Sequence, residues 1–194
     1  MVDCLTPAWA RGDVPVVAGD NGRVEWTGAR YADTPTVEAS TWIDADPGRV
    51  WSLVSDIELM PTLSNELQSV EWIDGATGPR VGARFVGYNT HEAFGQWSTT
   101  SQIVVCHESR EFAWAVGDPD YPSATWWFRL TRRDGGTTLT FGTRMGPGRS
   151  GLSAAIEAMP DKEQKIVFVR LREFEAAIDK TLAAIKRLAE HGVR

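Results

Sequence analysis

Residues 36–56 read TVEASTWIDADPGRVWSLVSD, a strand that runs straight into a capped helix. Val37, Ala39, Thr41 and Ile43 alternate with Glu38, Ser40 and Trp42, the period-two pattern of a half-buried strand. Asp46 then stands as an N-cap and Pro47 as the first helical residue, where a missing N–H costs nothing. Val50, Val54 and Ile57 follow at helical spacing, with Trp51 and Leu53 beside them.

Downstream, strands and turns succeed one another. A short helix over Leu59–Leu63 is interrupted early by Pro61. Leu67–Ile73 alternates as a strand and ends at the Asp74-Gly75 turn. Val81–Asn89 sets Val81, Ala83, Phe85, Gly87 and Asn89 on one face, and Gln96–Val105 does so with Trp97, Thr99, Ser101, Ile103 and Val105. Glu111–Val116, Ala124–Arg132 and Thr137–Met145 complete the series, the last two joined by the hairpin signal Asp134-Gly135-Gly136. Short connections between consecutive strands predict an antiparallel meander of six, with the strand at 36–43 preceding it.

Met145–Gly151 breaks that pattern, and a short helix follows over 152–159. From Asp161 to His191 the chain holds no proline or glycine. At about 100° per residue, Val167, Leu171, Phe174, Ile178, Leu182, Ile185 and Ala189 form one apolar stripe. Asp161 and Glu163 crowd its start and Lys186 and Arg187 its end, as the helix dipole prefers.

The 194 residues fit one domain with a sizeable core, preceded by a proline- and glycine-bearing extension over 1–35. Within that extension, Val14–Val17 and Arg23–Trp26 could form a short hairpin. The formal charge of −6 argues against nucleic acid and anionic membranes as partners, since both reward clustered positive charge. No apolar run approaches the roughly 20 residues that cross a bilayer, and the N-terminus lacks the basic start and apolar core of a signal peptide. The expected location is therefore cytoplasmic. Cys4 and Cys106 make no disulfide framework. No His/Cys/Asp set has metal-ligand spacing, so neither a metal nor any other cofactor is expected.

Taken in order, the phrases ADPGRVWSLVSD, VGARFVGYN, QWSTTSQIVV, REFAWAV, ATWWFRLTRRDGGTTLTF and the helix PDKEQKIVFVRLREFEAAIDKTLAAIKRLAE resemble the START-like, or SRPBCC, superfamily. Within it they are most similar to the polyketide cyclase/dehydrase-type proteins common in actinobacteria, and the bias to arginine, with only four lysines, fits a GC-rich genome. The likeness runs from Thr36 to Glu190. It implies an α+β helix-grip fold over 36–191, of the Bet v 1-like kind, in which a curved antiparallel β-sheet wraps around a long C-terminal α-helix. It also implies a cavity between the two.

Inward phases then nominate the candidate ligand-binding residues: Phe85, Asn89, Trp97, Thr99, Trp114, Trp126 and Phe128 from the strands, and Ile166, Arg170, Leu171, Phe174 and Ile178 from the helix. Nine tryptophans are unusual for this length; most are core, and those on the concave face could form a binding wall. Arg170 lies about 70° from the centre of the apolar stripe. It either pairs with a carboxylate of a strand or reaches the cavity mouth to hold a ligand carboxylate, phenolate or carbonyl. Asn89 either orients a ligand or caps its strand. His91, in the polar run Asn89–Glu92, belongs to a solvated turn or to the pocket entrance, and no catalytic residue is assigned. Phe168 and Val169 fall outside the stripe and pack either on the extension or on a second subunit in a homodimer.

The leading expectation is a protein that binds a small hydrophobic or aromatic molecule, lipid- or polyketide-like. An aromatase/cyclase-type enzyme is the alternative, and a protein-interaction module with a collapsed core the third.

Overall fold

In the computed structural model, which describes residues 23–92 and 95–191, β1 (Thr36–Ile43) leads directly into α1 (Pro47–Val54). The Asp46 carboxylate accepts the backbone N–H of Gly48 at 2.8 Å and of Arg49 at 3.2 Å, so two of the helix's orphan donors are satisfied. Val50, Leu53 and Val54 bury the inner face of α1. In α2 (Met60–Leu63), Pro61 occupies the first turn and begins the helix rather than interrupting it.

The meander is β2 (Leu67–Ile73), β3 (Arg84–His91), β4 (Gly95–His107), β5 (Glu111–Val116), β6 (Ala124–Arg133) and β7 (Gly136–Met145). Among the described residues these join β1 in one antiparallel sheet of order β1-β7-β6-β5-β4-β3-β2. The Asp134-Gly135 turn that links β6 to β7 takes positive φ at both residues, as a tight hairpin requires. α3 (Gly151–Ala158) then leads to α4 (Glu163–His191), whose Val167, Leu171, Ile178, Leu182 and Ile185 are buried. The architecture is the α+β helix-grip arrangement, a curved sheet around one long helix. Among the described residues no helix is long and apolar enough to cross a membrane.

Three details depart from the alternation read in the sequence. Val81 is 61% exposed, because the chain turns at Gly82 with a φ of 85° and β3 starts only at Arg84. His91 lies inside β3 instead of in a turn, because the strand runs on past Asn89. In β4 the register slips between Ile103, which opposes Trp114, and Val105, which opposes Ala113. The extra residue turns Val105 to the outer face, where it packs with Ala113 and Trp127, while Ile103 stays in the main core.

The described part of the extension packs on α4. Val24 donates its N–H to the buried Glu175 carboxylate at 2.7 Å, Tyr31 donates its N–H to Glu163 at 3.1 Å, and Trp26 meets Phe168 edge-on at 5.3 Å. Phe168 is therefore covered by the extension, whereas Val169 is 46% exposed. The Val14–Val17 half of the expected hairpin lies outside the described residues, and Arg23–Trp26 is no regular strand.

Tyr31 is the anchor of this segment. Its hydroxyl lies 2.7 Å from the Gly148 carbonyl and 3.0 Å from that of Ser123, and burial pushes the phenol above its ordinary pKa. Its stabilising share is complete below the unfolded-state value of about 10 and is lost as pH rises through the higher folded value. Tyr31→Phe is expected to lower unfolding free energy by about 1–2 kcal/mol at neutral pH. Urea titrations repeated at rising pH should show the gap to wild type closing in the alkaline range.

Candidate functional site

Strand alternation turns Phe85, Asn89, Trp97, Thr99, Trp114 and Trp126 toward α4, and Arg170 and Phe174 face them from the helix. All eight line one cavity of about 1660 Å³. The wall is built of rings in sequence. Trp114 and Trp126 oppose each other across β5 and β6 and stack at 6.4 Å, with planes 10° apart. Trp126 meets Phe174 edge-on at 5.1 Å, and the Arg170 guanidinium lies 4.4 Å over the Phe174 ring. Ser98, Ser101 and Thr181 add hydroxyls to the lining.

Phe128 and Ile166 do not line this space. α1 packs over β6 and β7 and closes that end of the concave face, so Phe128 is fully buried and stacks on Phe141 at 4.2 Å. Ile166 is half-buried at the margin of the core, one turn before Arg170. Leu171 and Ile178 are likewise core, at 1% and 0% exposure.

At the mouth, Arg170 is engaged by carboxylates. Its guanidinium donates two hydrogen bonds to Glu66, at 2.6 and 2.7 Å, and one to Glu173 at 2.7 Å. Burial by itself works against the charge, but the bonds to Glu66 and Glu173 outweigh it and hold the guanidinium pKa above its ordinary value. Glu66 is placed by its loop. The Ser64 hydroxyl accepts the N–H groups of Glu66 and Leu67, and the Glu66 carbonyl accepts the N–H of Thr90. His91 Nε2 lies 3.9 Å from Glu66 and 3.8 Å from Glu173. Asn89 turns its amide nitrogen back to the Gly87 carbonyl at 3.1 Å.

Glu66, His91 and Glu173 each bring one ligand atom to within 4.8 Å of the others, a grouping that sequence spacing did not disclose. A cation there would share both carboxylates with the fixed positive charge of Arg170. Glu173 was legible as the i+3 partner of Arg170 on a helix. Glu66 and Tyr31, which also lines the cavity, carried no local signal.

A family model described as polyketide cyclase/dehydrase and lipid transport matches residues 34–190. A comparison with curated proteins returns no match. Among solved structures, the polyketide-cyclase-like protein Cgl2372 of Corynebacterium glutamicum is 30% identical, with a TM-score of 0.56 over 79% of this chain and 90% of that one. The Zhui aromatase/cyclase of Streptomyces sp. R1128 is 15% identical, with a TM-score of 0.60 over 80% of this chain and 96% of its own. The di-domain aromatase/cyclase StfQ of the steffimycin biosynthetic pathway is 13% identical, with a TM-score of 0.62 over 79% of this chain and 50% of that one. The last two likenesses concern the fold.

Removing the cation should expose the carboxylates to each other. Arg170→Leu is expected to lose about 2 kcal/mol in urea unfolding, less than the ~3–5 of a fully buried pair, because Glu66 and Glu173 keep part of their surface in water. The double variant Arg170→Leu/Glu66→Leu should recover some of that loss, read from a double-mutant cycle.

Proposed function

The chain belongs to the polyketide cyclase/dehydrase and lipid transport family, and from that premise we propose that its cavity binds a small hydrophobic or aromatic molecule, polyketide- or lipid-like. The observation that carries this reading is the ring wall of Trp114, Trp126 and Phe174, contiguous from the sheet to α4. Rigid rings present flat apolar area at low conformational cost and favour flat partners. The cavity exceeds the roughly 300–1,000 Å³ of common small-molecule sites, which suits a multi-ring compound or an acyl chain. Covering 150–200 Å² of such a ligand contributes roughly 4–5 kcal/mol before ordering costs. A space of this size also weighs against an interaction module with a collapsed core.

A second reading, conversion of the ligand by aromatase/cyclase-type chemistry, has one observation in its favour. His91, a residue type that serves general acid–base catalysis, sits in the cavity wall beside two carboxylates. Binding comes first in either case, and the ring wall serves both.

Trp114→Ala and Trp126→Ala are each expected to weaken binding of a polycyclic aromatic probe by more than about tenfold, with the fold retained by circular dichroism. Unchanged affinity in both would remove the wall from the account. Titration by tryptophan fluorescence or calorimetry makes the comparison.

A further inference from the structure

The inference that follows rests on the ring-binding reading of the cavity and concerns the other end of the ligand. We infer that the ligand presents a hydrogen-bond donor at the mouth, a hydroxyl or an ammonium, and that a ligand carboxylate or phosphate is disfavoured there.

The charges decide it. Glu66 and Glu173 bring two carboxylates to the mouth against the one guanidinium of Arg170, and Glu92 adds a third carboxylate to the lining. Arg170 is also committed. Three of its hydrogen bonds run to carboxylate oxygens, its side chain is 10% exposed, and its flat face lies on Phe174. The other arginine of the lining, Arg149, is held by two hydrogen bonds to Glu157. Among the described residues of the lining, both arginines are thus paired with carboxylates of the protein.

The carboxylates remain reachable. Glu66 and Glu173 keep 29% and 34% of their side-chain surface in water. An ionised carboxyl is acceptor-only and offers about four lone-pair sites, more than Arg170 uses on either one. A ring slid along Trp114 and Trp126 toward Phe174 therefore ends beside acceptors with an excess of negative charge. A hydroxyl or ammonium completes that arrangement, and an anion meets like charge in a poorly solvated site. The sequence left two roles open for Arg170, pairing with a carboxylate of the protein or holding a ligand carboxylate, phenolate or carbonyl; the partners at 2.6–2.7 Å are carboxylates of the protein.

The test uses four pyrenes on one ring system: 1-methylpyrene, 1-pyrenemethanol, 1-pyrenemethylamine and 1-pyrenecarboxylate, titrated into the full chain at neutral pH and low salt by fluorescence. The alcohol, the amine or both should bind at least about tenfold more tightly than the carboxylate. An alcohol ahead of the amine identifies the donor as a hydroxyl, and the reverse identifies it as a cation. In Glu173→Gln, whose fold is checked by circular dichroism, the deficit of the carboxylate should shrink to within about threefold. A carboxylate that binds as well as the alcohol and the amine overturns the inference while leaving the ring-binding reading intact, provided 1-methylpyrene binds. A deficit unchanged in Glu173→Gln overturns the assignment to this acidic cluster. Silence from all four probes overturns the ring-binding reading and this inference with it.

Discussion

The curved sheet offers seven strands to bury, and among the described residues α4 is the one long helix laid against them and leaves part of the concave face without a helix to meet it. The chain meets this constraint differently at the two ends. Where α1 packs over β6 and β7, Phe128 and Leu139 become fully buried and the space closes. Away from α1, β4, β5 and β6 carry Trp97, Trp114 and Trp126, β4 adds hydroxyls from Ser98, Thr99 and Ser101, and a cavity remains. Large rings suit that unfilled region because each stands on its neighbour: Trp114 on Trp126, Trp126 on Phe174, Phe174 under Arg170. The wall is therefore held by its own contacts rather than by a filled interior.

The mouth follows from the same constraint. An arginine on the border of the apolar stripe of α4 is drawn out of water by the helix's position, and burial works against its charge. Glu66 and Glu173 compensate, and Glu66 in doing so ties the loop before β2 to α4 across 104 residues of chain. The pairing is as much a structural clasp as a chemical surface. Arg170 stays in the cavity lining with three of its hydrogen bonds spent on these carboxylates, and the inferred polarity of the site follows from that pairing.

Local patterns carried most of the fold. The alternation of β1, the Asp46-Pro47 cap, the boundaries of β2 and β5, and the stripe of α4 are each decided within a few residues, and all are found in place. The misses are events that no window contains. An inserted residue after Ile103 reverses the phase of Val105, which period-two reasoning cannot anticipate. Phe128 has the right phase for the cavity but lies under α1, so its fate depends on a helix some 75 residues upstream in the chain. Glu66 has no motif around it and becomes part of the mouth only through Arg170. Tyr31 stood in a stretch without periodicity, yet its hydroxyl joins the extension to the carbonyls of Ser123 and Gly148.

The central claim is that the space between the sheet and α4 is a ligand site. Native mass spectrometry of gently purified protein, followed by solvent extraction and identification of what is released, tests it most directly. The account predicts an added mass on the order of a few hundred daltons, belonging to a flat or chain-like apolar compound tipped by a hydroxyl or amine. A mass of the bare chain that persists after incubation with aromatic and lipid mixtures would contradict it.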